Sequence, residues 1–546
     1  MLSAGALMKQ VENLHCDTAI AGGGIAGLVC ALELLAQGEQ VIIVDRDKAE
    51  RLGGLARWAF GGMALCGTKQ QRRMKIPDSS DKLLADWYSF ANFSEHDYWP
   101  KAWAKEYAEH CFDKVYLWLD KLGLKFLPAV NWVERGLYTP GNSLPRYHVV
   151  WGTGWQLVET VIEQLTPYLA NRQLTILSQH KATAFAQGQE FHCLSIINEQ
   201  TNQKLVVNAA NVVIACGGVN GALENAKKNW LSGFNNPNAN MLNGANPISD
   251  GKLHQQLAAQ GAKLTHVDKM WNYAAGIRHP QAEFEHHGLS LIPCKSALWL
   301  NHRGQRIGPT PLVTGFDTHE LCQQVAKQQK PWTWQILNWQ IAKKELAVSG
   351  SAHNPSIRDK KLWQFIAEIL FGNKRLVRQL LEESEDVICA DSIDGLVQQM
   401  NQLTGDNFVN SDELTKVIKG YDQQFANGAS IENDDQVRRI RHARQWRPDR
   451  LRTCTPAPIG KNPQKNPLIA IRVQLIARKS LGGIQTNLNS QVLDQAGNVM
   501  QGLYCIGEAA GFGGGGANGE KSLEGTFLAG CILTARNAAK AITSAR

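Results

Sequence analysis

The sequence lacks several features that would assign it to common protein classes. None of its 12 cysteines forms a Cys-x-x-Cys pair, which argues against zinc ribbons, thioredoxin-like pairs and c-type haem attachment. The charge-free run from Ala19 to Leu32 is too short to span a bilayer, and glycines interrupt it. No signal peptide is evident. We therefore expect a cytoplasmic protein with reduced cysteines, no metal site and no integral membrane segment.

Neither positive nor negative charge strongly dominates the sequence. Lys and Arg number 57 against 49 Asp and Glu, a net charge of +8, and the basic residues are scattered. The basic clusters at 72–75 and 438–444 are better explained as solvated helix faces than as nucleic-acid contacts, so we expect no nucleic-acid partner. A chain of 546 residues is too long for one hydrophobic core, which predicts two or more domains.

The sequence does contain a glycine-rich turn between an apolar run and a helical pattern. Residues 18–21 are predicted to form a buried strand and residues 26–37 a helix. Between them, Gly22 permits a tight turn, Gly24 allows close approach of a pyrophosphate, and Gly27 allows the helix and strand to pack closely. The next strand ends on Asp45, about 20 residues further on, where an acid can bind a ribose diol. This order predicts dinucleotide binding, because a packing turn alone does not explain the position of the acid.

Two glycine pairs follow the acid, Gly53 with Gly54 and Gly61 with Gly62, in RLGGLARWAFGGM. Here the chain resembles the FAD-binding proteins of the fumarate reductase/succinate dehydrogenase flavoprotein superfamily. In that family one glycine pair passes the FAD pyrophosphate, and a later turn reaches the flavin ring. The resemblance therefore implies FAD as the cofactor, and the absence of a histidine in GGLARWAFGG implies that it is bound non-covalently.

Three later segments resemble the family in the same order: 211–221, 477–487 and 502–542. The resemblance implies that the first returns the chain to FAD, that the second lies beside the flavin, and that the third closes the site. It assigns Glu508 to the ribityl chain and directs a helix opening near Ser522 and Leu523 at the flavin ring, where N–H groups stabilise negative charge. The further cofactor-binding residues implied by these segments are Gly217, Gly218 and Gly507.

The scattered FAD segments predict an α/β fold with a discontinuous Rossmann-like FAD-binding domain and an inserted α+β cap. The expected boundaries are 1–269 for the first part of the FAD-binding domain, with a helical excursion over 66–150. The cap is expected over 270–450 and the C-terminal part of the FAD-binding domain over 451–546. Since caps in this superfamily close over the flavin, we expect the active site between the two domains.

The resemblance implies an FAD-dependent oxidoreductase acting on CH–CH groups. It transfers a hydride between flavin N5 and a substrate carbon next to a carbonyl, in a small molecule such as a 3-ketosteroid-like ring ketone. Such chemistry needs a base and a group that polarises the carbonyl oxygen. The catalytic candidates are Arg478 and Lys479, which precede the second glycine segment, and Tyr273, at the entry to the cap.

The substrate-binding candidates are Asn518, Glu520 and Lys521, which lie before the flavin-facing helix, and His148, which with Tyr147 is a weaker choice. The chain departs from fumarate reductases, because Arg478 and Lys479 stand where those enzymes place a histidine. The overall layout is closer to FAD-binding dehydrogenases related to 3-ketosteroid 1-dehydrogenases. Two alternatives stay open: a fumarate-reductase-like enzyme on a small unsaturated acid, and a non-catalytic flavoprotein that transfers electrons. The electron acceptor is not indicated.

Overall fold

The computed structural model describes residues 12–234, 240–426 and 433–545. Within these ranges, twenty strands form two large sheets and two short strand pairs. In chain order the strands are β1 (Glu12–Ala21), β2 (Val41–Val44), β3 (Gly62–Ala64), β4 (Tyr147–Val149), β5 (Leu174–Leu177), β6 (His180–Ala186), β7 (His192–Asn198), β8 (Lys204–Ile214), β9 (Met241–Asn243), β10 (Leu264–Thr265), β11 (Met270–Arg278), β12 (Gly288–Ile292), β13 (Leu298–Leu300), β14 (Trp332–Asn338), β15 (Ala347–Val348), β16 (Val387–Ala390), β17 (Leu468–Ser480), β18 (Gly483–Ile484), β19 (Gln491–Leu493) and β20 (Val499–Cys505).

Helices cover both sheets, and most of them pack through an apolar face. They are α1 (Ile25–Leu35), α2 (Leu55–Trp58), α3 (Lys69–Arg73), α4 (Ser80–Ala91), α5 (Tyr98–His110), α6 (Leu117–Lys121), α7 (Thr153–Ala170), α8 (Leu223–Asn225), α9 (Lys252–Ala259), α10 (Thr318–Ala326), α11 (Trp339–Glu345), α12 (Pro355–Arg358), α13 (Leu362–Phe371), α14 (Lys374–Glu383), α15 (Ile393–Thr404), α16 (Ser411–Gln423), α17 (Asp435–Ala443), α18 (Arg447–Arg452) and α19 (Thr526–Ser544). Within the described ranges, none of these helices is long and apolar enough to cross a membrane.

The first large sheet has the strand order β19-β20-β8-β1-β2-β5, and β7 and β6 are joined to it through β8. The pairings from β20 through β8, β1 and β2 to β5 are all parallel. The buried VIIV sequence of β2 is typical of a parallel strand that is covered on both faces. This sheet confirms the predicted Rossmann-like α/β architecture.

The parallel strands of this sheet end at one common edge, as the topology requires. Gly22 follows β1, Asp45 follows β2 and Gly217 comes shortly after β8. Glu508 comes shortly after β20. The edge therefore brings together residues that are hundreds of positions apart in sequence.

The second large sheet has the order β13-β14-β17-β11-β12-β15, with β16 and β9 also paired to β17. Its strands extend beyond the expected cap range of 270–450 at both ends. β9 (Met241–Asn243) precedes the first boundary, and β17 (Leu468–Ser480) lies beyond the second as the strand on which the sheet is centred. The apolar run in β17 is buried on both faces, so its composition alone does not reveal which sheet it joins.

The predicted helical excursion over 66–150 contains α3 to α6, and it packs into the same apolar core as α1 and α19. A second core fills the cap around β14 and β17. A third core lies on the other face of the first sheet, beside α9. The cap therefore has a core of its own, and its contact with the first sheet leaves room for a site.

Candidate active site

A long cavity runs along the carboxyl edge of the first sheet and reaches the second sheet at β11 and β17. One end is lined by Asp45 and Arg46, and the other by Tyr273 and Lys479. An extended ligand with a nucleotide at one end and a reactive ring at the other fits this shape. Of the predicted cofactor-binding residues, those that line the cavity are Gly22, Gly24, Asp45, Gly53, Gly54, Gly61, Gly62, Gly217 and Glu508.

The glycine-rich turn forms the wall between β1 and α1. Gly22 has φ +120°, and a Cβ there would lie 2.2 Å from the carbonyl oxygen of Ala215, so this position requires glycine. Gly27 does not line the cavity, because a Cβ on it would lie 2.0 Å from the carbonyl oxygen of Gly22. Its role is therefore to let α1 pack closely against the turn.

Gly24 tests whether this wall fits a bound dinucleotide. Its φ is −69°, an ordinary value for any residue, and a Cβ would meet no protein atom within 4 Å. Neither backbone strain nor packing thus explains glycine at this position. A side chain would instead enter the cavity at the N-terminus of α1, where backbone N–H groups bind phosphate well. The bare backbone therefore fits the pyrophosphate of FAD.

Asp45 lies at the nucleotide end. Its Oδ2 accepts a hydrogen bond from the N–H of Gly23 at 2.5 Å, and its Oδ1 accepts one from Asp47 at 2.7 Å. Burial raises the pKa of this carboxyl group, although both backbone donors oppose the rise. A carboxylate has more lone pairs than these two bonds use, so Asp45 can also accept from a ribose diol.

Glu508 lies between the two sheets. Its Oε1 accepts from the backbone N–H of Ser480 in β17 at 2.9 Å and from the Ser480 hydroxyl at 3.2 Å. Burial raises the pKa of Glu508. Gly218 does not line the cavity; a Cβ there would lie 2.2 Å from Glu508 Oε1, so its bareness makes room for this carboxylate. Gly507 is buried and does not line the cavity. A Cβ on it would lie 2.8 Å from the Cβ of Ala26, so glycine here lets α1 approach closely.

The C-terminal helix begins later than expected. α19 starts at Thr526, after Gly525 at φ +102°, and not near Ser522 and Leu523. The Ser522 hydroxyl is buried and donates to the side-chain oxygen of Asn518 at 3.0 Å, so it caps no helix. Neither Ser522 nor Leu523 lines the cavity; the residues of this region that do are Glu524, Gly525, Phe527, Leu528 and Cys531.

The three predicted catalytic residues meet at the other end of the cavity. Tyr273 donates its hydroxyl hydrogen to Glu524 Oε2 at 2.9 Å, and Lys479 Nζ donates to the Tyr273 hydroxyl at 3.3 Å. The indole N–H of Trp271 holds the same carboxylate oxygen at 2.8 Å. Trp271 and Tyr273 are two residues apart on β11 and so share one face of the strand. The result is a half-buried lysine, tyrosine and carboxylate joined by hydrogen bonds.

Burial dominates the electrostatics of this group. It lowers the pKa of Lys479 to about 8, although Glu524 opposes that change, and the neighbouring Arg478 adds to it. Burial also raises the pKa of Tyr273 well above its usual range, and the Glu524 carboxylate adds to that rise. A lysine that titrates close to neutral pH beside a tyrosine is typical of sites that move protons.

Arg478 lies beside this group, with one edge of its guanidinium already in use. Its Nη1 donates to the carbonyl oxygen of Gly244 at 2.7 Å, and its backbone N–H donates to Asn272 Oδ1 at 2.7 Å. Its buried Nε has no hydrogen-bond partner among the described residues. The Arg478 side chain is therefore held in place at the cavity wall, and its Nε–H remains available as a hydrogen-bond donor.

Two residues that line this end received little or no weight from the sequence. Tyr147 packs its ring on Gly62, where a Cβ would lie 1.8 Å from the ring, and burial raises the pKa of its hydroxyl. Glu524 was missed altogether. Its partners lie more than 250 positions away, and the one available signal was that a buried Trp271 and Tyr273 each need a hydrogen-bond acceptor.

The four predicted substrate-binding residues do not line the cavity and are committed to other contacts. Glu520 accepts from Lys269 at 2.7 Å, and Lys521 pairs with Asp317 at 2.8 Å. His148 is buried, contacts the Thr68 hydroxyl at 2.8 Å and has its pKa lowered by burial to about 4. Asn518 accepts from Ser522 and Thr526. For Asn518, Glu520 and Lys521, nearness in sequence to the flavin-facing helix does not bring the side chains to the cavity wall.

The cavity, the glycine-rich wall and the terminal acid define an FAD-binding flavoprotein. A family model described as "FAD binding domain" matches residues 17–528, and the chain belongs to this family. A KsdD-like steroid dehydrogenase of Mycobacterium tuberculosis is 35% identical over an alignment of 548 positions, which covers 97% of this chain and 96% of the relative. The chain is an FAD-dependent oxidoreductase related to such dehydrogenases, which confirms the predicted cofactor and the resemblance.

Solved structures support the same fold. The 3-ketosteroid Δ1-dehydrogenase from Sterolibacterium denitrificans has a TM-score of 0.67 at 16% identity, over 97% of this chain and 100% of that one. The open conformation of a flavocytochrome c3 fumarate reductase has a TM-score of 0.69 at 18% identity, over 97% of this chain and 78% of that one. At these identities the likeness establishes the architecture and not the substrate.

Proposed function

We propose that this protein oxidises or reduces a carbon–carbon bond next to a carbonyl group in an apolar ring ketone, such as a 3-ketosteroid. The observation that carries the proposal is the hydrogen-bonded group of Lys479, Tyr273 and Glu524 at the ring end of the cavity. The identity to a KsdD-like steroid dehydrogenase supports the substrate class. We propose further that FAD is bound non-covalently and that the protein works in the cytoplasm with an acceptor still to be identified.

The chain's own residues account for the movement of the proton. In the oxidative direction the Tyr273 oxygen takes a proton from the carbon next to the carbonyl, while its own proton passes to Glu524 Oε2. The Lys479 ammonium stabilises negative charge on the Tyr273 oxygen. FAD, when bound, would supply the two-electron oxidant that accepts a hydride from the adjacent substrate carbon, which leaves a double bond between the two carbons. Arg478, with its unpaired Nε, is suited to polarise the carbonyl oxygen.

Two features favour an apolar ketone over a small dicarboxylate. Phe527 and Phe512 line the cavity together with the two tyrosines. The Glu524 carboxylate, which is bonded to Trp271 and Tyr273, offsets one of the two positive charges of Lys479 and Arg478, so this end holds at most one net positive charge for a dianionic substrate. Fumarate is therefore the weaker candidate.

The test is turnover by the yellow holoprotein. We expect a 3-ketosteroid to bleach the flavin under anaerobic conditions and Tyr273→Phe to slow that step by about 100- to 10,000-fold, the usual contribution of general acid–base catalysis. Tyr421→Phe is the matched control, since Tyr421 is another buried tyrosine but belongs to the cap core. Its rate should stay at the wild-type value.

Other outcomes would overturn the proposal. Oxidation of a reduced dye by fumarate, without any reaction with ketosteroids, would assign the protein to the dicarboxylate chemistry. Redox exchange with a protein partner alone, when no organic substrate changes the flavin colour, would make it an electron-transfer protein.

A further inference from the structure

The cap carries one helix whose apolar face points outward. All ten residues of α13 (Leu362–Phe371) are at least partly exposed. The exposed fractions are 81% for Trp363, 62% for Leu370 and 70% for Phe371. Together with the exposed Ala367 they recur at the spacing of one helix face, so they form a continuous apolar stripe.

The orientation of α13 is fixed from its inner side. Glu368 Oε2 accepts from the Ser356 hydroxyl at 2.5 Å, and Oε1 accepts from Gln364 at 3.1 Å. The Phe365 ring contacts that of Trp151, with 5.8 Å between centroids. Glu368 and Phe365 thus face the protein, and Trp363, Leu370 and Phe371 face outward, whereas the exposed face of an ordinary surface helix is polar.

Basic residues flank α13 in the sequence on both sides. Residues 358–378 contain six basic and two acidic side chains. One acid, Asp359, pairs with Arg358 at 2.7 Å and Lys361 at 3.5 Å, and the other is the inward-facing Glu368. The charge presented to the surroundings is therefore positive, and the exposed members are Lys360, Lys361, Lys374, Arg375 and Arg378.

We propose that α13 docks this protein on the surface of a lipid bilayer that carries anionic headgroups. An apolar stripe with a basic border is the pattern of helices that lie in the plane of the membrane interface. Trp363, Leu370 and Phe371 would enter the headgroup region, and the basic border would contact the lipid charges. Ten residues are too few to span the bilayer. A second copy of the chain fits less well, because a two-fold contact through α13 would bring two basic borders together.

The docking helix is connected to the wall of the cavity. Ser349 lines the cavity. Two residues later, the Ser351 N–H donates to the carbonyl oxygen of Trp58 at 2.9 Å, and the Ser351 hydroxyl donates to the carbonyl oxygen of Arg57 at 3.1 Å. From Ser351 the chain passes through α12 directly into α13. A substrate dissolved in lipid would thus meet the protein on the side of its site, although the docking itself does not depend on what the substrate is.

The experiment is sedimentation of the full-length, flavin-loaded protein with vesicles of phosphatidylcholine, with and without phosphatidylglycerol. We expect binding to the anionic vesicles that weakens at high salt. Trp363→Gln/Phe371→Gln should lower the partition coefficient by about tenfold or more, and Lys360→Gln/Lys374→Gln should lower it on anionic vesicles alone. Flavin content and turnover without vesicles should remain unchanged in both.

Tyr98→Gln is the matched control, because Tyr98 on α5 is 70% exposed, as Phe371 is, but lies outside the cap. It should bind vesicles as the wild type does. The proposal fails if the wild type does not sediment with anionic vesicles, or if the α13 double variant binds as well as the control. It also fails if ultracentrifugation without lipid shows a dimer that Trp363→Gln/Phe371→Gln dissociates.

Discussion

At the scale of single residues, Lys479 places a positive charge in a poorly hydrated part of the cavity. Its Nζ lies 4.2 Å from the centre of the Phe527 ring and 5.3 Å from that of Tyr273. Two aromatic faces and a nearby carboxylate offset part of the cost of burying its charge. The lysine is thus poised to change protonation state close to neutral pH.

The pH dependence of flavin reduction should reveal this titration. Burial lowers the pKa of Lys479 to about 8, so its ammonium is present below that pH and is lost as the pH rises through it. If the charge stabilises negative charge on Tyr273, the rate of flavin reduction falls above about pH 8. Lys479→Met should be slower by roughly a hundredfold at neutral pH and should lack this fall. Rapid mixing with a ketosteroid measures both.

Lys479→Arg is the informative companion variant. Arginine stays charged far above pH 8, so the fall in rate should move to higher pH while the yellow colour is retained. An unchanged profile in Lys479→Met would remove this residue from the reaction.

Single residues also show how far the sequence could predict the site. Gly24 and Asp45 were identifiable because their roles depend on local spacing along one βαβ unit. Glu524 was not, because it acts through Trp271 and Tyr273, which join it only when β11 meets the turn before α19 in the fold. Long-range hydrogen bonds leave no periodic trace in a single sequence.

At the scale of elements, the start of α19 is set by one glycine. Ser522 looks like a helix cap, because serine is common there, but its hydroxyl is used by Asn518. The chain turns into the helix at Gly525, where a Cβ would lie 2.7 Å from the backbone nitrogen of Ala64 in β3. The turn thereby presses the helix start against the strand that follows Gly61.

Gly525→Ala should therefore destabilise the protein by about 2 kcal/mol or more, from backbone strain and from this clash. FAD retention should decline with it, because Gly525 lines the cavity. The matched control is Gly497→Ala, where φ is +87° but a Cβ would meet nothing within 4 Å. Its cost should be about 1 kcal/mol from strain alone, with full flavin content. Denaturant unfolding and flavin absorbance measure the two effects; equal behaviour of both variants would contradict the role of the clash.

The strands of the two large sheets differ in how well the sequence predicts them. In the first sheet, β1, β2 and β8 were predictable because a glycine or an acid follows each of them, whereas β5 has no such marker and was not predicted. β17 was not assigned to the cap, since an apolar run buried on both faces suits either sheet. Its partners β11 and β14 decide the matter, and pairing over such separations is not encoded locally.

At the scale of the whole molecule, both large sheets contribute walls to one cavity, so cofactor binding and folding are coupled. Free FAD should raise the unfolding midpoint of the apoprotein, with a gain of about 2.7 kcal/mol when the ligand is present at 100 times its Kd. Gly24→Val should fold yet show no gain, because its side chain enters the space that the pyrophosphate needs. Thermal unfolding with and without FAD measures this.

Gly420→Val provides the control for that measurement. A Cβ at Gly420 in α16 also meets nothing within 4 Å, but this position is exposed on the cap. The variant should respond to FAD as the wild type does. A response in Gly24→Val equal to that in Gly420→Val would show that the nucleotide binds elsewhere.

The arrangement of β17 ties the reactive end of the cavity to an exact count of residues. The strand pairs with the cap from Leu468 onward and ends with Lys479 opposite Trp271 and Ser480 bonded to Glu508. The pairing with β11 contains a register shift between Ile476 and Lys479, so the number of residues there decides which way Lys479 faces, and losing one would turn it away from Tyr273. Divergence among descendants of this gene can therefore lengthen or shorten the loops of the cap, whereas this strand has to keep its frame.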